Sequence, residues 1–310
     1  MKKCPCCESE KVFIKFQKMW DKSYFVDGKF SLLECEKCQM IFLEPKLNEK
    51  ELSKYYPAEE YYSFHNKNNL AITYHKISAY YHSRRNFLFN LLFYPMSPLL
   101  YTYYIQPGKN VLEIGCGDGM KLKIYREYGM KTNGLEPYGQ DLTAEEKKVG
   151  IIRKSIEDAP YEKNSFDIII LKEVLEHVPE QKKVLEKCQG WLKPRGKIII
   201  TVPNTEGTWA KIFKENWFGY DVPRHLYNYN PRNIQIMLEK FKFKINKIRV
   251  YEPPYMFDGS LKFYMANKTG KKEHPFIFSN GMKILSMPLS LIVTKMKKGS
   301  LMEIECTKEQ

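Results

Sequence analysis

Val111-Leu-Glu-Ile-Gly-Cys-Gly-Asp-Gly119 is the stretch that decides the fold. Val111–Ile114 reads as a short buried strand, and a glycine-rich turn follows at once. Met120–Tyr128 then sets Leu122, Ile124 and Tyr125 among lysines, as one face of a helix would. Glycines at 115, 117 and 119 let the backbone turn sharply and approach a ligand where a Cβ would clash. Such a turn is common on its own. Here it is framed by a strand, a helix and an acid, Glu113, at the strand end.

The next strand supplies a second acid. Lys131–Leu135 is short and partly apolar and ends in Glu136-Pro137, 23 residues after Glu113. An acid at the tip of the second strand of a βαβ unit can bond both ribose hydroxyls of a nucleoside. A dinucleotide turn reads Gly-x-Gly-x-x-Gly, whereas here the third glycine comes one residue early. The carboxylate of Glu113 before the first glycine disfavours a pyrophosphate and favours a cationic amino acid. A nucleoside that carries an ammonium and a sulfonium fits both acids, so S-adenosylmethionine is expected rather than NAD.

The run Glu113-Ile-Gly115-Cys116-Gly117-Asp-Gly119, with Glu136, Phe166-Asp167 and Glu176-His177-Val178, resembles the class I S-adenosylmethionine-dependent methyltransferases. The resemblance covers roughly residues 109–250. It implies an α/β fold: a Rossmann-like seven-stranded sheet with helices on both faces, here with a small N-terminal zinc ribbon and a C-terminal insertion. It further implies cofactor binding by Glu113, Gly115, Cys116, Gly117, Glu136 and Pro137. By the same resemblance, a third strand, Ile151–Ile156, would bring Ser155, Ile156 and Glu157 to the adenine, and Leu171, at the end of the central strand Phe166–Leu171, would be among the cofactor-binding positions. That strand is near-continuously apolar, as a parallel strand buried on both faces should be.

The chain has 310 residues, 43% of them hydrophobic, with a net charge of +14 and a pI near 9.2. It is long enough for more than one domain, and its composition excludes a disordered chain. The positive charge suits anionic partners such as nucleic acid, acidic lipid or phosphate-bearing small molecules. Met1–Cys7 does not read as a signal peptide, because cysteines stand where an apolar core belongs. A cytoplasmic location is expected, with contact at the inner membrane face as an option.

Five of the eight cysteines precede residue 40. Cys4/Cys7 and Cys35/Cys38 make two Cys-x-x-Cys knuckles around strand-like runs at Lys11–Phe16 and Lys29–Glu34. Four thiolates in this pattern predict a closed, tetrahedral structural zinc site. Cys4 could pair with Cys6 instead, but the two-residue spacing favours Cys7. A tyrosine-rich segment follows, Tyr55-Tyr56-Pro57-Ala-Glu-Glu-Tyr61-Tyr62. Ribbon and tyrosines together resemble a methyltransferase subgroup that includes deoxysugar C-methyltransferases.

A helical region is expected over Ala71–Phe93, where His65, His75 and His82 show no metal-ligand spacing. Asn86–Gly108 carries no charge and has the length of a membrane span, but Pro95 and Pro98 interrupt it. A hydrophobic helix pair packed over the site is the expectation, with a membrane-surface contact as the other option. Beyond Lys197–Val202, the fifth strand, lies Trp217-Phe-Gly-Tyr-Asp-Val-Pro-Arg224-His225-Leu226. Its Pro-Arg-His-Leu resembles an element of the same subgroup. His225 is the candidate base and Arg224 the candidate anion ligand, unless the pair caps the helix starting near Pro231. His177 reads as structural. Phe243–Val250 and Leu301–Thr307 complete the sheet, around an insertion with eight lysines and one acid within 260–298.

The expected organisation is ribbon 1–45, helical cap 46–106, cofactor-binding core 107–251, insertion or lid 252–298 and last strand 299–310. The expected activity is methylation of a sugar, either a nucleotide sugar or a surface-glycan component. A lipid-linked or nucleic-acid acceptor and a non-catalytic membrane scaffold are the alternatives. Nucleic acid is disfavoured, because no Asn/Asp-Pro-Pro-Tyr follows the fourth strand.

Overall fold

A computed structural model of the chain describes residues 2–56, 69–83, 86–139, 141–271 and 280–309. Tyr61, Tyr62, His65, Arg84, Arg85 and the Phe276–Phe278 run lie outside the described residues.

The N-terminal ribbon is an antiparallel set of β1 (Val12–Met19), β2 (Phe30–Cys35) and β3 (Ile41–Glu44). Each cysteine knuckle is a turn closed by backbone hydrogen bonds, Glu8 N–H to Cys4 O at 3.0 Å and Gln39 N–H to Cys35 O at 2.8 Å. The two strands expected from alternation are present. The third, β3, is four residues long, too short for a period-2 pattern to reveal. A short helix α1 (Glu49–Ser53) follows, opened by an Asn48 capping box. Next come α2 (Asn69–Ser83) and α3 (Phe87–Phe93), two helices within the helical region expected over Ala71–Phe93. Asn86 starts the second piece by accepting from Phe89 N–H at 3.0 Å.

The core then alternates strand and helix: β4 (Asn110–Ile114), α4 (Met120–Glu127), β5 (Lys131–Leu135), α5 (Ala144–Lys148), β6 (Ile151–Ile152), β7 (Phe166–Lys172), α6 (Gln181–Trp191) and β8 (Leu192–Pro203). It continues through α7 (Thr208–Phe213), β9 (Tyr227–Asn228), α8 (Pro231–Lys240), β10 (Phe243–Tyr251), α9 (Pro254–Thr269), α10 (Asn280–Lys295) and β11 (Leu301–Lys308). The large sheet has the order β10-β11-β8-β7-β4-β5-β6. β4 to β8 run parallel, while β11 enters antiparallel between β8 and β10.

Two corrections concern this sheet. The third strand is two residues long instead of Ile151–Ile156, and the fifth begins at Leu192 instead of Lys197. β6 is an edge strand paired only over Gly134↔Ile151 and Leu135↔Ile152, so no neighbour holds residues 153–156 in extended form.

Period-2 alternation builds the core. Leu112, Ile114, Ile169, Leu171, Ile198 and Ile200 face one apolar cluster, whereas Val111, Ile168, Ile170 and Ile199 face another with Ile124 and Tyr125 of α4. The first cluster also contains Cys4, Cys35, Leu32 and Tyr55, so the ribbon shares the core of the sheet. β9 joins the ribbon sheet as its fourth strand, in the order β1-β2-β3-β9. The strand order reverses at β4 and β7, and ligand crevices open beyond strand carboxyl ends at such a point.

The insertion forms α9 and α10, which pack on each other. It is anchored beside Glu252, whose carboxylate accepts from Ser300 N–H at 2.7 Å in a site 1% exposed. Burial pushes this carboxyl up to about 8, against hydrogen bonds that lower it. A folded-state value above the unfolded one gives stability present below the unfolded pKa and lost as pH rises through 8. Glu252→Gln is therefore expected to gain melting temperature on the wild type between pH 5 and pH 9, roughly the window of that ionisation. Parallel melting curves across that range would refute the buried, protonated carboxyl.

Candidate active site

At the carboxyl end of β4 the turn adopts left-handed backbone at Gly115 (φ 70°), Gly117 (φ 56°) and Gly119 (φ 72°). A Cβ on Gly115 would sit 2.5 Å from Val174 Cγ2, and one on Gly119 would sit 2.6 Å from Ile151 Cδ1. The turn is thus glycine for two reasons, conformation and space. Cys116 turns its side chain into the α4 packing and is 4% exposed, so it faces the ligand crevice only with its backbone.

Glu113 is 1% exposed and pairs through Oε1 with Lys121 Nζ at 3.0 Å. Its Oε2 is buried without a hydrogen-bond partner, an acceptor ready for a cationic group. Burial works against the Lys121 charge, yet Glu113 beside it raises the ammonium pKa above the ordinary value. This lysine was not anticipated, because nothing in the spacing ties a helix residue to the preceding strand tip.

Glu136, just past β5, accepts from Gly117 N–H at 3.0 Å and Tyr138 N–H at 3.1 Å. One carboxylate therefore ties the second strand tip to the glycine turn. Burial raises its pKa, and the two amide bonds oppose the shift. Pro137 follows on the exposed side. Ser155 Oγ donates to Asp158 Oδ2 at 2.8 Å, Ile156 packs against the core and Glu157 is exposed. Ser155 and Glu157 line an open cleft of about 520 Å³, whose opposite wall is Lys46–Glu51 at the ribbon's exit. Leu171 is fully buried inside the sheet, level with Ile114 and Ile200. It supports the crevice floor as core packing.

Arg224 requires a correction. Its side chain is 1% exposed and does not face a ligand. Nε and Nη2 donate to Asp221 at 2.8 and 2.7 Å, Nη2 donates to Asp21 Oδ1 at 2.7 Å, and Nη1 donates to Tyr55 O at 3.0 Å. The Tyr24 ring lies 4.8 Å from the guanidinium carbon. Burial alone would raise the Asp221 carboxyl, but Arg224 beside it holds it well below the ordinary carboxylate range. Arg224 is a clamp between ribbon and core. Nor does it cap α8, since Asn230 does so by accepting from Asn233 N–H at 2.8 Å.

His225, the next residue, is 8% exposed and its Nδ1 lies 2.7 Å from Gly219 O. A carbonyl only accepts, so Nδ1 carries the proton and Nε2 keeps its lone pair. Burial lowers the His225 pKa, against Asp221, which raises it, so the neutral form dominates at pH 7. His177 meets the His225 ring edge-on at 4.5 Å, and its Nδ1 lies 2.9 Å from the Tyr56 hydroxyl. Burial, and then His225, push His177 down to about 3. Glu176 beside it is fully buried, and both its carboxylate oxygens lack hydrogen-bond partners. Burial lifts that carboxyl well above its ordinary range. The two histidines converge from sequence positions 48 apart, which no local pattern reveals.

A third polar group was also missed. Lys172 Nζ lies 2.9 Å from Glu303 Oε2 and 3.7 Å from the Tyr101 ring centroid, and Tyr104 OH donates to Glu303 at 3.0 Å. A lysine ending an otherwise apolar strand was the available signal.

In the ribbon, one sulfur each of Cys4, Cys7, Cys35 and Cys38 lies within 4.8 Å of the others. Cys4–Cys38 and Cys7–Cys35 sulfurs are 3.5 and 3.6 Å apart. Tetrahedral Zn–S bonds of about 2.3 Å require sulfurs about 3.8 Å apart, so this donor set fits the metal with small adjustment. Cys6 points elsewhere, its Sγ 3.4 Å from Asn233 O. The four clustered sulfurs include that of Cys7 and not that of Cys6.

Comparison with known proteins matches residues 81–248 to a family model described as a methyltransferase domain. The ubiquinone biosynthesis O-methyltransferase of Idiomarina loihiensis is 32% identical over 105 residues, 31% of this chain and 43% of that protein. Phosphoethanolamine N-methyltransferase 2 of Caenorhabditis elegans is 30% identical over 106 residues, 31% of this chain and 24% of that protein. The chain thus spans less than half the length of these curated relatives. Among solved structures, an S-adenosylmethionine-dependent methyltransferase from Archaeoglobus fulgidus superposes with TM-score 0.44 at 18% identity, covering 71% of this chain and 93% of that one.

Proposed function

Because the chain belongs to the methyltransferase-domain family, we propose that it transfers a methyl group from S-adenosylmethionine to a sugar, nucleotide-linked or part of a surface glycan. The observation that carries the cofactor assignment is the pairing of two buried carboxylates, Glu113 and Glu136, across one glycine turn. Bound S-adenosylmethionine supplies an electrophilic methyl group. Glu113 Oε2 would take its ammonium, Glu136 would accept from its ribose hydroxyls, and Ser155–Glu157 would flank its adenine. His225 Nε2, kept unprotonated by the Gly219 bond, would remove the proton of the acceptor. The sugar assignment is supported by the ribbon, the Tyr55–Tyr56 start of the tyrosine segment and the Pro-Arg-His-Leu element together in one chain. We further assign a structural zinc to Cys4, Cys7, Cys35 and Cys38, a closed site with no position left for a substrate.

Calorimetric titration with S-adenosylmethionine tests the first assignment. Glu136→Ala is expected to weaken binding on the order of 100-fold, since charged hydrogen bonds to two hydroxyls are lost. His225→Gln should bind the cofactor normally and lose roughly 10²–10⁴ in kcat on the acceptor found by screening nucleotide sugars. An unchanged Kd in the Glu136 variant would remove the ribose assignment. An unchanged kcat in the His225 variant would remove the base.

A further inference from the structure

The two segments around the cap carry apolar side chains on the wrong side for a water-soluble surface. On α3, Phe87, Leu88, Leu91 and Leu92 are 61–78% exposed, which overturns the expectation that this helix packs over the site. On α10, Leu285, Leu289 and Ile292, continued by Met296 just past its end, follow helical spacing and are 39–65% exposed. The inward row of the same helix includes Ser286 and Ser290, each 1% exposed. The outward row of this helix is therefore apolar, while its inward row combines the two hydroxyls with Val293, which is 5% exposed and part of the core. α10 packs against the turn Tyr94–Leu99 that follows α3, so one turn links the two helices.

Charge marks the same place. Residues 61–112 and 274–302 contain no Asp or Glu, in a chain with 36 acids. Lys295, Lys297 and Lys298 are exposed where the apolar row of α10 ends, and Lys76 on α2 is exposed as well. An apolar face rimmed by lysines and free of carboxylates is complementary to an anionic lipid surface, where each basic side chain adds to the apolar insertion. No helix among the described residues is long and apolar enough to cross a membrane.

We infer that α3 and α10 dock the protein in the plane of an anionic lipid bilayer. This goes beyond the methyl-transfer reading and does not depend on it. The face also connects to the crevice: the chain runs from the Tyr94–Leu99 turn into Tyr101 and Tyr104, which contact Lys172 and Glu303 toward the carboxyl end of the parallel strands. Arg249 reinforces this link by bonding Thr102 Oγ1 and, at 3.4 Å, Ser97 O.

The test is flotation of the full chain with vesicles of phosphatidylcholine alone or mixed with phosphatidylglycerol. The wild type is expected to float with the mixed vesicles and to be partly released by salt. Leu92→Glu with Leu289→Glu should weaken partitioning on the order of tenfold or more, while binding of S-adenosylmethionine stays at the wild-type value and certifies the fold. Changing Lys295, Lys297 and Lys298 to glutamine should reduce flotation only on the anionic vesicles. Failure of the wild type to float, or flotation untouched by the glutamate pair, overturns the proposal. A wild-type dimer that those glutamates convert to monomer, without vesicle binding, would assign the face to a second copy of the chain instead.

Discussion

Replacing Arg224 with alanine is expected to destabilise the protein by about 3–5 kcal/mol, the cost of leaving buried charges without their partner. Asp21 and Asp221 are 0% and 6% exposed, so neither reaches water to recover solvation when the guanidinium is removed. The loss also frees Tyr55 O and the contact that ties the ribbon to the Pro-Arg-His-Leu loop. Arg224→Lys should recover less than half, because one ammonium cannot bridge two carboxylates and a carbonyl at once. Asp21→Asn combined with Asp221→Asn should return part of the stability to the alanine variant by removing the repulsion. Denaturant unfolding measures all of these. If the alanine variant unfolds within 1 kcal/mol, roughly the worth of an exposed pair, the clamp reading is wrong and a ligand role for Arg224 returns.

Removal of the zinc proposed at the four cysteines should have a still larger effect. Structural zinc in small thiolate sites contributes about 10–16 kcal/mol, nearly all of it absent from the unfolded chain. The ribbon residues Cys4, Leu32 and Cys35 belong to the same apolar cluster as Ile169 and Leu171, so loss of the metal is expected to reach the sheet. Cys35→Ser should abolish the metal measured by atomic emission, lower the melting temperature of the whole chain and weaken binding of S-adenosylmethionine. Cys6→Ser should keep the metal, since Cys6 lies outside the four-sulfur group and its thiol bonds Asn233 O. Loss of zinc in the Cys6 variant, or an unaltered melting curve after chelation, would contradict the assignment.

Local patterns carried a good part of this molecule. The glycine turn, Glu113 and Glu136 are legible because strand tips, tight turns and helix starts are made by neighbours in sequence. The Asn230-Pro231 helix start was found on the same grounds, whereas the last strand, expected at Leu301–Thr307 and observed at Leu301–Lys308, owed as much to the family resemblance as to its weak alternation. Elements held only by a distant partner were misread. Residues 153–156 lack a strand because the sheet ends there, and edge position has no signature in a short apolar run. Arg224 looked like a ligand for anions because Asp21, which completes its pairing beside the neighbouring Asp221, lies 203 residues earlier, and no local pattern shows that the pair is buried.

The sequence by itself determined the fold class, the cofactor-facing turn and the four-cysteine set, each encoded in spacings of a few residues. Tertiary structure alone decided which charges are spent on the architecture and which surfaces are left bare. Arg224 is buried and satisfied, His177 meets His225, and the leucines of α3 and α10 point to solvent. The physical reason is that pairing and burial depend on which elements are brought together, and the order of a sheet joins residues that no local periodicity connects.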